Sequence, residues 1–352
     1  MNNLDMKNFY ILFMQIILAF IFSSIIIIIL GASPIEVFQN IFNGAFGRPE
    51  KVVKTLLIFL PISLASLALI ITFSTGLWNI GIEGQIVLGA IGATLIAKSF
   101  LGETTLSPLY QIIAGISFGS LWGILCAFLR VKFNVHEIFG GLGLYFVGSG
   151  AIIYLILGPW SKEGIASTSG TDIFNKASWF PTFSDLNIPA LPIFIVSIII
   201  ILSIIFLGFT KIGLKLKATG ANPESTEKFQ FNSGVFIFIA FAITGAIAGL
   251  AGVFQASVFH HKLVPSISGG YGFLSILIVL ASGKRIIPTM ILALFFSAMI
   301  AGGSQLQLRL NLHSSLISII LSSVVFFWLV VNSEVIKSKL IKFFRKENDN
   351  AI

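Results

Sequence analysis

Three polar side chains interrupt an otherwise apolar stretch of the chain, TGLWNIGIEGQIVLGAIGA, at residues 75–93. They are Asn79, Glu83 and Gln85, and glycines surround them. An ionisable side chain in such a segment costs free energy and usually faces a bundle interior or a water-filled cavity. Two kinds of hydrogen-bonding chemistry stay open for these residues. They could contact a polar solute, or they could support irregular backbone at a helix break, where the freed backbone groups need partners.

The spacing of these residues predicts how they would be arranged on a helix. A helix over 79–93 would place Asn79 and Glu83 on one face and Gln85 on roughly the opposite face, with the glycines. We favour a role in shaping a cavity or a helix break over direct solute contact. Residues 74–85 are polar and rich in glycine, which is typical of a discontinuous or re-entrant transporter helix, although an ordinary loop is the alternative.

Composition places these residues inside a membrane protein. The chain has 352 residues, of which 56% are hydrophobic and only 10% are charged. Soluble domains carry roughly 25% charged residues, so most of this chain must face lipid. We therefore predict an all-α, polytopic transmembrane helix bundle that forms a single domain over 1–352. A net charge of +8 could indicate nucleic-acid binding, but here the basic residues flank apolar runs, as they do in membrane proteins. We therefore expect no nucleic-acid partner.

Residues for covalent or metal chemistry are scarce. The chain has one cysteine, Cys126, and its four histidines lack the spacing of metal ligands. It has no glycine-rich phosphate loop, nucleophile elbow or paired-acid motif. We expect no metal, no cofactor and no enzymatic activity. Energy for pumping would have to come from another subunit or from an ion gradient.

Ten apolar runs approach the roughly 20 residues that cross a bilayer. They are 9–31, 55–73, 80–101, 109–129, 138–159, 189–209, 233–256, 271–283, 288–303 and 313–331. If every run crosses and the N-terminus lies inside, fourteen of the 22 Lys and Arg residues lie inside. This bias predicts an N-in, C-in orientation with 332–352 as a basic cytoplasmic tail. Residues 160–188 form the longest outer loop.

Glycines recur at helical spacing in two of these runs. Gly115, Gly119 and Gly123 form one small-residue stripe, and Gly245 and Gly249 form another. Such stripes allow helices to approach closely, so we assign these residues to helix packing and not to chemistry.

A second informative segment is the predicted cytoplasmic loop 210–232. Its residues Ala221, Asn222, Pro223, Glu224 and Ser225 read as the start of a helix. Asn222 can cap the helix, Pro223 suits its first position, and Glu224 complements its N-terminus. A short amphipathic helix through Lys228 could dock into a groove on a soluble partner, or it could lie on the membrane without one.

Several stretches resemble permease subunits of ABC importers for nucleosides and simple sugars, a group related to ribose and branched-chain amino acid permeases. The most specific are NIGIEGQ and ATGANPES. In chain order, the similar stretches are TGLWNIGIEGQIVLGAIGA, VKFNVHEI, KATGANPESTEKFQFNSG, GAIAGLAGVFQ and GGYGFLSILIVLASGKRIIP. The likeness covers most of the chain from about residue 50 onward. Departures from the family pattern are Trp78, in place of a more usual phenylalanine, and the apolar run IFGGLGLYFVG after Glu137.

The resemblance implies a permease of the bacterial cytoplasmic (inner) membrane that forms the translocation pathway with a second, related permease. It also implies cytoplasmic ATPase subunits and an extracytoplasmic substrate-binding lipoprotein as partners. On this basis 210–232 is the coupling loop, with Ala221 to Ser225 at the ATPase, and 79–85 lies near the translocation path.

The alternative is a stand-alone secondary transporter or channel for a small polar solute. Secondary transporters rely on titratable groups in several spans, and Glu83 is almost the only carboxyl residue deep in a run.

Overall fold

The protein is all-helical in the computed structural model, which describes residues 17–162, 169–183, 186–222, 232–310, 312–313 and 315–332. Outside the helices, these residues form turns and one isolated bridge between Phe183 and Ile188. In chain order the α-helices are α1 (Ile17–Ile29), α2 (Pro34–Phe46), α3 (Pro49–Phe73), α4 (Ile82–Ala97), α5 (Ser107–Phe133), α6 (Glu137–Leu157), α7 (Ala190–Phe209), α8 (Lys211–Ala221), α9 (Ser233–Phe254), α10 (Tyr271–Ala281), α11 (Ile286–Leu310) and α12 (Ser315–Asn332). Short 3₁₀ turns lie at Phe100–Glu103 and Lys176–Ser178. The all-α prediction is confirmed.

Six of the described helices are long and apolar enough to cross a bilayer. They are α3, α5, α6, α7, α11 and α9 with its extension to Phe259. A seventh span is obtained if α1 and α2, which meet at an angle of 108°, count as one broken span. The helices α4, α10 and α12 are apolar but shorter. At 1.5 Å per residue, the 16 residues of α4 extend only about 24 Å, less than the bilayer core of roughly 30 Å.

All ten predicted apolar runs coincide with helical segments, within the residues that the structure describes. The count of ten full spans and the N-in, C-in orientation stay predictions. Helices α2 and α8 are not predicted by the apolar runs. The distribution of Lys and Arg predicts a loop over 210–232, yet residues 211–221 form a helix that Thr210 caps through its side-chain oxygen.

The chain divides into two compact units. One comprises Met1–Thr55 and Phe295–Ile352, and the other comprises Leu56–Leu294. In the first unit the hydroxyl groups of Ser23 and Ser323 lie 2.8 Å apart in a buried contact, which joins α1 to α12.

The centre of the unit Leu56–Leu294 is a seam between α4, α5 and α9. The predicted glycine stripes lie on this seam: Gly119 and Gly123 of α5 face Gly245 and Gly249 of α9. A Cβ on Gly119 would lie 2.7 Å from the Cα of Gly249, so the helix backbones are in direct contact. Such contacts maximise van der Waals packing where no hydrophobic effect drives helices together.

Two buried hydroxyl groups attach other helices of this unit to α3. Thr244 of α9 donates to the carbonyl oxygen of Ala68 (2.9 Å), and Ser275 of α10 donates to that of Ile62 (3.2 Å).

Candidate functional site

The chain is not helical between α3 and α4, and we call residues 74–81 the break. Tight turns follow the end of α3, with the N–H of Thr75 bonded to Thr72 and that of Gly76 bonded to Phe73. Gly76 has φ of +78°, a left-handed conformation that favours glycine. Helix α4 begins only at Ile82, so Asn79 lies in the break and Glu83 and Gln85 lie in the first turn of α4.

The side chains of Asn79 and Gln85 form a reciprocal amide pair. Nδ2 of Asn79 donates to Oε1 of Gln85 (3.2 Å), and Nε2 of Gln85 donates to Oδ1 of Asn79 (3.4 Å). Both residues are buried. The prediction that Asn79 shares a face with Glu83, opposite Gln85, is therefore wrong. It assumed a continuous helix from residue 79, whereas the break turns Asn79 back over the start of α4.

Glu83 caps another helix. Its Oε1 accepts a hydrogen bond of 3.1 Å from the backbone N–H of Phe273, in the first turn of α10. The residue before α10 is Gly270, which has no side chain to serve as a cap, so these first N–H groups need an acceptor from elsewhere. A carboxyl oxygen at a helix N-terminus also interacts favourably with the helix dipole. Glu83 thus supplies from α4 the cap that α10 lacks.

Gly272 allows this close approach. A Cβ on Gly272 would lie 2.9 Å from Cγ2 of Ile82 and 3.1 Å from Cγ of Glu83. Glu83 is fully buried, and its Oε2 has no hydrogen-bond partner within the described part of the chain. The carboxyl group is therefore enclosed between α4 and the start of α10.

Glu137, the first residue of α6, contacts the break at Trp78. Its Oε2 lies 3.3 Å from Nε of Arg130, and its Oε1 lies 3.5 Å from the backbone nitrogen of Trp78, at the limit of a hydrogen bond. The break also contacts α6 directly, because a Cβ on Gly81 would lie 3.0 Å from the Cα of Gly141. Sequence reasoning missed Glu137. The available signal was an acidic residue seven positions after an arginine at the edge of an apolar run.

The break also touches the end of α8. A Cβ on Gly76 would lie 3.2 Å from the carbonyl oxygen of Gly220, and a Cβ on Gly220 would lie 2.8 Å from the nitrogen of Gly76. No side chain can fit between these two backbones. The residue after Gly220 is Ala221, the first of the predicted coupling residues.

Only part of the predicted coupling set lies within the described residues. Ala221 is the last residue of α8, and Asn222 follows it with its N–H bonded to the carbonyl oxygen of Ala218 (3.1 Å). Pro223, Glu224 and Ser225, and the predicted helix through Lys228, lie outside the described residues.

A second polar cluster, also missed from the sequence, lies at the opposite end of the same unit. Nε2 of Gln111 donates to the carbonyl oxygen of Ser178 (2.9 Å) and to the hydroxyl of Ser107 (3.0 Å). The hydroxyl of Ser257 donates to Oε1 of Gln111. Ser257 lies in a π-helical segment, Gln255–Phe259, that continues α9. Polar residues in apolar runs, Gln111 and Gln255, were the signal in the sequence.

Two histidines follow this π-helical segment. The ring of His261 stacks on that of Trp179, with centroids 3.9 Å apart. Burial lowers the pKa of His261, and burial followed by the charge of Lys262 lowers the pKa of His260. Among the described residues no group of three or more His, Cys, Asp and Glu side chains is placed to hold a metal ion.

The apolar spans, the buried polar contacts around a helix break and the glycine-to-glycine packing define a multi-pass helical membrane protein. Residues 51–332 match the family described as branched-chain amino acid transport system / permease component, and the chain belongs to this family.

Similar proteins include three permeases of ABC transporters. The glucose ABC transporter permease protein TsgB13 of Haloferax volcanii is 26% identical, over 96% of this chain and 91% of its own length. The nucleoside permease protein NupB of Lactococcus lactis is 24% identical, over 89% and 88%. The guanosine permease protein NupP of Bacillus subtilis is 24% identical, over 94% and 95%. No solved structure matches.

The protein is therefore a permease subunit of an ABC importer, and the alternative of a stand-alone secondary transporter or channel is not supported. It is a transporter component and not an enzyme. Proteins of this kind work with an ATPase and a substrate-binding protein.

Proposed function

We propose that this permease carries nucleosides or simple sugars across the cytoplasmic membrane of a bacterium. The support is that the relatives aligned over most of their length are named for glucose, nucleosides and guanosine. In this proposal the chain pairs with a second, related permease. A partner ATPase hydrolyses ATP on the cytoplasmic side, and an extracytoplasmic lipoprotein delivers the solute.

The contact between Gly220 and Gly76 is the observation that carries the proposed mechanism. In the N-in, C-in orientation the end of α8 and residues 221–225 face the ATPase. A movement of this coupling segment reaches the break directly, because the two glycine backbones are in van der Waals contact with no side chain between them. Packed backbones transmit a displacement as a unit, since close packing leaves no room to absorb it. ATP binding can shift the permease only through its differential affinity for the two states.

Asn79, Glu83 and Gln85 support the break in this proposal and do not bind the solute. All three are buried within the unit Leu56–Leu294. Asn79 and Gln85 bond each other, and Oε1 of Glu83 bonds the start of α10. Polar groups inside a bundle need internal partners. The Asn79–Gln85 pair supplies partners to two side-chain amides, and Glu83 supplies one to the backbone at the start of α10.

Uptake measurements test the substrate class. A strain that lacks this permease is complemented with the intact gene, and uptake of radiolabelled nucleosides is compared with that of labelled simple sugars. Restored uptake of one class supports the proposal and names the class. Restored growth or transport of amino acids only would overturn it.

Deletion of residues 221–228 tests the coupling assignment. We expect the deleted permease to reach the membrane but to lose both uptake and co-purification of the ATPase. Substitution of Glu224 by Ala should reduce the same two quantities. Normal uptake with either change would show that this segment does not couple the permease to its ATPase.

A further inference from the structure

The unit Leu56–Leu294 carries a groove of about 620 Å³ that combines apolar walls with basic side chains. Its apolar walls include Ile204, Leu207 and Ile287, and the basic side chains are Lys217, Lys284 and Arg285. Carboxyl side chains do not line it. Apolar walls next to clustered cations fit a ligand that is itself apolar at one end and negatively charged at the other.

The three cations are exposed, and no carboxylate lies within 4 Å of any of them among the residues that the structure describes. Lys284 is held in the turn between α10 and α11 with φ of +62°, and its Nζ lies 5.8 Å from the centre of the Phe73 ring. Three like charges side by side repel one another. A bound anion would relieve that repulsion.

The position of the groove in the fold places it at a membrane boundary. Leu207 lies in the last turn of α7, Lys217 lies on α8 immediately after it, and Arg285 precedes the first residue of α11. The groove is therefore located where spanning helices end. Its apolar wall continues onto α7 through Ile201 and Ile205, which are 56% and 46% exposed and can face lipid chains.

We propose that this groove binds an anionic phospholipid. The phosphate is held by Lys217, Lys284 and Arg285, and an acyl chain lies along Ile204, Leu207 and Ile287. Basic pockets between helices at the membrane boundary are the kind of site that anionic headgroups occupy. An acidic protein surface would match the cations, but it would leave an apolar wall that runs into the bilayer uncovered. The headgroup would lie beside Ser74, at the start of the break.

Lipid binding to the full-length permease tests this site. Phosphatidylglycerol is titrated onto the purified chain in neutral detergent, and bound lipid is counted by native mass spectrometry, with phosphatidylcholine of the same acyl chains as the reference. The test variant is K217Q/K284Q/R285Q. The matched control is K98Q/K132Q/K176Q, which removes three exposed cations elsewhere.

We expect phosphatidylglycerol to bind the intact chain and the control variant equally. The affinity of the test variant should fall about fivefold for each cation removed. Equal binding by all three proteins would overturn the proposal, and so would an equal loss in both variants. Unchanged lipid binding together with loss of ATPase co-purification in the test variant would show a protein-docking surface instead.

The single variant K217Q keeps the test interpretable if the triple variant does not fold. Lys217 is exposed on α8, away from the positive-φ turn, so its replacement should leave the melting temperature unchanged. We expect about fivefold weaker binding of phosphatidylglycerol by K217Q than by K98Q. Equal affinities would contradict the site.

Discussion

At the scale of the residue, Glu83 shows how a polar side chain in a membrane helix can serve a neighbouring helix. Its carboxyl oxygen accepts a hydrogen bond from the backbone N–H of Phe273. Without Glu83 this donor at the start of α10 would be unsatisfied. In the low dielectric of a bundle interior an orphaned N–H costs more free energy than at a water-exposed helix end. Glu83 therefore stabilises α10 from α4.

Substitutions of Glu83 separate capping from solute contact. Glu83→Ala removes the acceptor and should lower the free energy of unfolding by about 1–3 kcal/mol, which we would measure as a fall in melting temperature. Glu83→Gln keeps an acceptor oxygen and should retain most of the stability and uptake. The exposed Glu103→Ala is the control. A Glu83→Gln variant with intact stability and no uptake would indicate contact with the solute.

The stability of the protein should depend on pH because of His260 and His261. Burial lowers the pKa of both below the ordinary 6.5, so the unfolded chain takes up protons first as the pH falls. Their contribution to stability is full above about pH 6.5 and decreases as the pH falls below it, toward the folded-state pKa.

The variant His261→Asn tests this dependence, because Asn tolerates the left-handed φ of +52° but does not titrate. We expect the difference in melting temperature between the intact protein and His261→Asn to shrink from about pH 7.5 to about pH 5.5. The control is the exposed Ile173→Ala, which removes no titratable group. Its melting temperature should change with pH in the same way as that of the intact protein. A difference that is constant with pH would contradict the prediction.

At the scale of the element, the short helix α4 and the break before it make the contacts that form the candidate site. Helix α4 cannot cross the bilayer core by itself, and its N-terminal end contacts α10 through Glu83 and α6 through Gly81. The break before it touches α8 at Gly220. The break therefore contacts α6 and α8 directly, and it leads into the end of α4 whose Glu83 bonds α10.

Gly220→Ala tests the connection between α8 and the break. The added Cβ would lie 2.8 Å from the nitrogen of Gly76, so α8 must move away from the break. We expect assembly with the ATPase to persist while uptake per ATP hydrolysed falls severalfold. Gly143→Ala on α6, where an added Cβ meets nothing within 4 Å, should leave both unchanged. Normal uptake by Gly220→Ala would contradict this connection.

A larger residue in the glycine seam should lower the stability of the protein without changing its coupling to the ATPase. Gly119→Ala would place a methyl group 2.7 Å from the Cα of Gly249 and separate α5 from α9. Overpacking of this kind costs roughly 1–3 kcal/mol, so the melting temperature should fall by several degrees. Gly150→Ala, on the open side of α6, is the matched control. An equal melting temperature for both variants would show that the seam can relax.

At the scale of the whole molecule, the orientation of the chain in the membrane fixes which surface meets the ATPase. The predicted N-in, C-in orientation would place the α8 end inside and the Trp179 loop outside. Within the described chain, six helices are long and apolar enough to be full spans, and α4, α10 and α12 are shorter apolar helices.

Cysteine labelling tests this orientation directly. In a C126S background, which removes the single native thiol, K176C and K217C are each treated in intact cells with a membrane-impermeant maleimide. We expect K176C to be labelled in intact cells and K217C only after permeabilisation, because the lysine positions lie at opposite ends of the bundle. The reverse pattern would invert the orientation and exclude 221–225 as an ATPase contact.

The sequence by itself determined the helical membrane class, the positions of the apolar helices and the family. The class and the helix positions follow from the amount and spacing of apolar residues. The family follows from the resemblance of stretches such as NIGIEGQ and ATGANPES to known permeases. The sequence also identified Asn79, Glu83 and Gln85 as candidate functional residues, because polar side chains are rare within an apolar run.

The tertiary structure alone decided what these residues contact. Asn79 pairs with Gln85 because α4 begins only at Ile82. The glycine-rich sequence indicated a discontinuity within 74–85, but helical periodicity could not show at which residue the helix resumes. Glu83 caps α10, which lies 190 residues later, and Glu137 holds Trp78 across 59 residues. Contacts between segments so distant in the chain arise from packing, and local sequence patterns carry no information about them.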